Sequence, residues 1–117
     1  MTKAARVPDY LAHISKAIER IVRYTADLTD AEFLADEMVQ DAVLRNIEII
    51  GEASNNVQRV DAEFAARHDD IPWSVMYTMR NRVSHGYDKV DLELVWRTVK
   101  SDLPHLHAKI KQAQLQA

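Results

Sequence analysis

Eight consecutive residues, Arg80-Asn81-Arg82-Val83-Ser84-His85-Gly86-Tyr87, bring together two arginines, an asparagine, a histidine and a tyrosine. Arginine offers a planar fork of donors to anionic oxygens. Histidine changes charge near neutral pH, so it can give or take a proton. The set is suited to chemistry on an anionic group.

The stretch also lies where a helix should stop. Val75, Met76, Met79 and Val83 recur at helical spacing before it. Gly86 is one of two glycines in the chain, and glycine is the usual residue just past a helix C-terminus. At about 100° per residue, Asn81 and His85 share a face one turn apart, while Arg80 and His85 point about 140° away from each other. Arg80 and His85 can serve one site only if it straddles the helix end or a second chain completes it. Arginine and histidine also favour the negative end of a helix dipole, which accounts for either residue alone but not for the set.

Composition bounds the surroundings. The 117 residues suffice for one domain with one core. Two glycines and three prolines give few turn signals, and helix formers are plentiful, so the reading is all-α. Without cysteine there is no disulfide or thiolate metal site, which fits the cytoplasm. Residues 1–10 lack the apolar run of a signal peptide, and no stretch matches a membrane span, so no membrane partner is expected. The net charge of −3 argues against broad nucleic-acid affinity. RNA binding would need a local patch, for which Arg80, Arg82 and Lys89 are the candidates.

The elements that must position the cluster follow in order. Pro8 and Asp9 open a first helix with the stripe Tyr10, Leu11, Ile14, Ile18, Ile21, Val22 and Leu28. Thr29-Asp30-Ala31-Glu32 has the form of a capping box for a short helix. Asp36 can cap a long helix carrying Met38, Val39, Ala42, Val43, Ile47, Ile49, Ile50, Ala53 and Val57, expected to be the most buried and to fray near Asn55 and Asn56. Gly51 inside it costs about 1 kcal/mol relative to alanine and suggests close helix packing. Arg45 can pair with Glu48, while Glu48 and Glu52 share a face and call for a cation between them, with Arg80 or Arg82 as candidates. An ordinary solvated face explains these charges equally well.

Asp61 to Arg67 reads as a short helical piece and His68 to Pro72 as a loop. Trp73 or Ser74 starts the helix of the cluster, with Trp73 and Tyr77 expected to pack as a core pair. Asp91 can cap the last helix, whose stripe is Leu92, Val95, Trp96, Val99, Leu103, Leu106 and Ile110. Pro104 predicts a kink or restart. His105 and His107 at i,i+2 point to opposite sides, unlike helical zinc ligands, so no metal is expected. Residues 111–117 read as a frayed tail.

Arg-x4-His at Arg80 and His85, with polar Asn81 directly after the arginine, resembles the signature of the HEPN superfamily of helical ribonucleases. The flanks narrow this. Asp41-Ala42-Val43-Leu44-Arg45-Asn46-Ile47-Glu48-Ile49-Ile50-Gly51-Glu52-Ala53, then Ile71-Pro72-Trp73, then Arg80 to Tyr87, then Val95-Trp96, are similar to the HepT toxin family across nearly the whole chain.

That resemblance implies a single HEPN domain over residues 1–117, built as an up-and-down four-helix bundle with short additional helices. It implies a homodimeric toxin whose two Arg-x4-His segments face each other. The implied antitoxin is MntA, a minimal nucleotidyltransferase that transfers AMP from ATP to the tyrosine, here Tyr87. No cofactor of this chain itself is implied. Transfer RNA or messenger RNA is the implied target class.

The chemistry follows without a metal. RNA carries its own nucleophile, the 2′-hydroxyl, and cleavage needs a base, an acid and a cation for the charge growing on the phosphate. His85 is expected as acid/base, Arg80 as the clamp on phosphoryl oxygens, Asn81 as the residue that orients His85 or the phosphate, and Arg82 and Lys89 as RNA contacts. Arg45, Glu48 and Glu52 would support the site. The alternative is a non-catalytic helical dimer that binds a nucleotidyltransferase or a nucleotide; a plain structural bundle explains the stripes but not the cluster.

Overall fold

Side chains that bond back onto the chain set most of the helix starts. The computed structural model of the protein describes residues 6–85 and 90–117, and of His85 the backbone alone. A first helix, α1 (Val7–Thr25), begins with proline in its first turn. The capping box forms as expected: Glu32 N–H donates to Thr29 Oγ1 at 3.2 Å, Thr29 N–H donates to Glu32 Oε1 at 3.0 Å, and α2 (Asp30–Ala35) follows. Asp36 accepts from Val39 N–H at 3.1 Å and opens α3 (Glu37–Val60). Asp61 does the same for Phe64 N–H and α4 (Ala62–Arg67). After the expected loop, α5 (Trp73–His85) carries the arginines, and Asp91 caps α6 (Leu92–Arg97).

Pro104 explains what comes next. It has no N–H to donate four residues back, and its ring would press on the Lys100 carbonyl in a regular α-helix. The chain widens instead into one π turn, Thr98–Asp102, closed by Leu103 N–H donating to the Thr98 carbonyl five residues back. Helix α7 (Leu103–Gln114) then continues with Pro104 in its first turn. The expected kink or restart takes this form.

The described residues form helices joined by turns and short irregular links, with no strand. Helix α3 is central, flanked by α1 and α5, and α7 packs on α1. Leu11, Ile14, Ile18 and Ile21 of α1 meet Val43, Ile50 and Val57 of α3, Val99 of the π turn, and Leu106 and Ile110 of α7 in one core. Each such side chain taken from water contributes about 1.5–3 kcal/mol. The seam between α5 and α7 stays open as a mainly apolar groove of about 430 Å³. No helix among the described residues is long and apolar enough to cross a membrane.

Several expectations are corrected. Val22, Met38 and Val75 occupy apolar stripes yet are 45, 81 and 66 % exposed, because no other element among the described residues covers their part of the helix surface. Asn55 and Asn56 do not fray α3, which runs on to Val60 because Ser54 and Val57 are buried beside them. The tail starts later than Lys111, since burial of Ile110 and Ala113 holds α7 together to Gln114. Trp73 is a core residue, but its indole N–H donates to the carbonyls of Ala65 and His68, closing α4 and fixing where α5 begins.

Candidate active site

The position of Arg80 is decided by its neighbour across the helix crossing. Helices α3 and α5 run antiparallel: Gln58 donates to Ser74 Oγ at 3.0 Å, Ser54 Oγ meets Met76 Sδ at 3.7 Å, and Gly51 faces Met76 and Arg80. A Cβ at Gly51 would lie 2.7 Å from the Met76 carbonyl oxygen and overlap the Arg80 side chain. The missing side chain lets the backbone of α5 come down onto α3 at this point. The packing role expected of Gly51 is therefore its role, and it bears on the base of Arg80.

From there the Arg80 side chain reaches over α3 to its half-exposed edge. Its Nη2 lies 3.5 Å from Glu52 Oε2, and its Nη1 donates to Asn81 Oδ1 at 3.0 Å. Of the two carboxylates on this face, Glu52 thus receives Arg80 as its cation, while Glu48 has Arg45 for its charged neighbour. An ion pair this exposed is worth about 1 kcal/mol or less, so its consequence is orientation rather than stability. Guanidinium has five N–H donors, and among the described residues these two contacts engage two of them.

Arg80 forms one wall of a cleft of about 200 Å³. Arg45, Glu48, Glu52 and Asn56 line it from one stripe of α3, and His13 of α1 stands on the opposite bank. Arg45 Nη1 and Glu48 Oε2 are 3.9 Å apart, a loose exposed pair. The structure brings Arg45, Glu48 and Glu52 together with Arg80. His13 and Asn56 are members that the sequence reading did not pick out. Asn56 continues the spacing of Arg45, Glu48 and Glu52 and could have been found from it; His13 gives no local signal.

Arg82 does not share this cleft. It projects into the groove between α5 and α6, beside Val90, Asp91 and Leu94. Arg80 and Arg82 therefore serve two different surfaces, as two residues about 200° apart on a helix must. The His85 side chain, Gly86, Tyr87 and Lys89 lie outside the described residues, so the expected C-cap and the tyrosine are not placed. His85 does end α5, one and a half turns from Arg80.

Another polar cluster joins α1 to α7. His107 Nε2 lies 3.3 Å from Ser15 Oγ and 3.8 Å from Glu19 Oε1. Both contacts fall on one ring nitrogen, so the carboxylate cannot orient the ring for the serine as in a hydrolytic triad, where it holds the other nitrogen. Burial, then Lys111, push the His107 pKa down, with Glu19 opposing them. His105 turns instead to the α5–α7 groove. Among the described residues no three His, Asp or Glu side chains are grouped to hold a metal ion.

Comparison with known proteins bears on this arrangement. A family model described as Ribonuclease HepT-like matches residues 14–113. A protein of Thermococcus cleftensis named as a probable ribonuclease HepT is 42 % identical over 104 residues, covering 89 % of this chain and 92 % of that protein. A Methanocaldococcus jannaschii protein, named as a gamma-glutamylcyclotransferase and candidate RNase, is 44 % identical over 101 residues, which are 86 % of this chain but 44 % of that longer protein. A candidate RNase of Caldanaerobacter subterraneus is 30 % identical over 103 residues, 88 % of this chain and 89 % of that protein. No solved structure matches the chain.

Proposed function

Because the chain belongs to the Ribonuclease HepT-like family, we propose that it is the toxin of a toxin–antitoxin pair, an endoribonuclease that cleaves transfer or messenger RNA without a metal. The observation that carries the chemistry is the held guanidinium of Arg80, tied to Glu52 and Asn81.

In the proposed reaction the RNA 2′-hydroxyl attacks the adjacent phosphorus. A histidine takes its proton, the new 2′-oxygen–phosphorus bond forms, and the bond to the 5′-oxygen breaks. A proton returned to that oxygen completes the step and leaves a 2′,3′-cyclic phosphate. His85 supplies the acid/base group. Arg80 neutralises the charge growing on the phosphoryl oxygens, and Asn81 holds Arg80 in place for it. Arg82 and Lys89 contact flanking RNA.

Two copies build the site in this reading. Positions 80 and 85 of a helix lie about 140° apart, and a second α5 would supply the missing partner to each. The open apolar groove beside α5, lined by Val75, Met79 and Leu94, supports a second copy covering that side. The dimer then offers two histidines, one as base and one as acid. Tyr87 is the site at which a nucleotidyltransferase antitoxin of the MntA kind adds AMP from ATP. AMP added there would put a bulky anion two residues past His85 and exclude RNA.

The test is induction of this chain alone in cells, wild type beside His85→Ala, with total RNA run on a denaturing gel. Growth arrest with discrete fragments in the wild type only is the expected result. Arrest in both, or in neither, would move the function to binding of the nucleotidyltransferase. Cleavage by purified protein should persist in EDTA.

A further inference from the structure

The cleft beside Arg80 has a composition that a phosphate site alone does not need. Two carboxylates line it together with two arginines, an asparagine and a histidine. Carboxylates repel an RNA phosphate, but they accept hydrogen bonds from base edges. Glu52 is engaged by Arg80 at 3.5 Å. Glu48 is not: its described charged neighbour is Arg45 at 3.9 Å, with the Arg45 side chain 71 % exposed. Its oxygens are open to a donor entering the cleft.

We infer that this cleft is a nucleobase subsite that takes guanine next to the cleaved phosphate, with Glu48 reading the base. This rests on the ribonuclease reading above. Guanine is the RNA base with two adjacent donors, N1–H and the N2 amino group, on its pairing edge, and one carboxylate accepts both in parallel. Adenine and cytosine set an acceptor beside their amino group, and uracil offers one N–H. The size agrees. A cleft of about 200 Å³ is many times the space a single water needs and admits a planar ring.

The walls suit a base as well. Single-stranded RNA is read by bases splayed onto histidine rings or guanidinium planes and bonded along their edges. His13 is exposed, and its ring is braced by Tyr10, edge to face with centroids 6.2 Å apart. The exposed His13 ring offers a surface for a base, and the exposed Arg45 guanidinium can close over it. Arg80 on the wall then places the phosphate of the same nucleotide.

The experiment uses the full chain and single-stranded oligoribonucleotides differing only in the base on the 5′ or the 3′ side of the cleaved bond. At one of those positions guanine should be cleaved roughly tenfold or more faster than any other base, as one bidentate base contact provides. Glu48→Gln should bring that ratio close to one, and His13→Ala should reduce it. No guanine preference in the wild type, or an equal loss on all four bases in Glu48→Gln, would overturn the subsite. If the wild type cuts no RNA, the ribonuclease reading fails separately, and the subsite is decided by titrating guanosine 3′-monophosphate and adenosine 3′-monophosphate. A shift of the His13 ring NMR signals with guanosine only, lost in Glu48→Gln, sustains it; no shift, or equal shifts, removes it.

Discussion

Gly51 and Arg80 occupy one contact, in which the absence of a side chain on α3 sets the depth at which the arginine of α5 is seated. Arg80 is held at both ends by consecutive residues of α3: Gly51 admits its base, and Glu52 meets its tip.

Gly51→Ala tests the first of these. By helix propensity alone the change would stabilise the protein by about 1 kcal/mol. A methyl group 2.7 Å from the Met76 carbonyl oxygen forces the helices apart, and overpacking of this kind costs about 1–3 kcal/mol. The expected sign is therefore destabilising. Denaturant unfolding should show a lower midpoint, and RNA cleavage should fall with it because Arg80 moves.

Glu52→Gln tests the second. Removing an exposed pair should change stability by about 1 kcal/mol or less. Cleavage should fall about tenfold in kcat, the equivalent of about 1.4 kcal/mol in the barrier, because the guanidinium loses its anchor. Steady-state kinetics beside a melting curve separates the two effects. A loss of stability matching the loss of rate would assign Glu52 to the fold.

His107 gives a pH dependence with a definite sign. Burial holds its pKa below the ordinary 6.5, so the folded protein takes up the proton less readily than the unfolded chain. The stability from this group is complete above pH 6.5 and is lost as pH falls through the lower folded value. His107→Gln should weaken the acid-side loss, measured as the drop in Tm from pH 7.5 to pH 5 in variant and wild type.

Tyr87→Phe should remain toxic in cells that carry the nucleotidyltransferase, since phenylalanine has no hydroxyl to accept AMP. The phenyl ring keeps the shape, so growth arrest should match wild type without antitoxin. Rescue of the variant by a catalytically competent antitoxin, as complete as rescue of wild type, would place the modified residue elsewhere.

The helix starts were legible in the chain because they are made over three residues: Thr29 with Glu32, Asp36 with Val39, Asp91 with Leu94. So were the all-α class, the central position of α3, the trouble at Pro104 and the family, since each rests on local spacing or on four ordered blocks of residues. The need for a cation between Glu48 and Glu52 could be stated, and Arg80 or Arg82 named, because like charges one turn apart repel; of the two carboxylates, Arg80 meets Glu52.

What the tertiary structure alone decided is which of those faces meet. Val22, Met38 and Val75 obey the apolar period but stay in water, because periodicity defines a face and not what covers it. Arg80 rather than Arg82 reaches Glu52 because the α3–α5 crossing lies at Gly51. His13 joins the cleft from a helix far away in the chain, through contacts that no local pattern encodes. The sequence by itself determined the elements and the chemical groups. Packing between elements determined the site, because burial and charge pairing act through space between residues that the chain holds far apart.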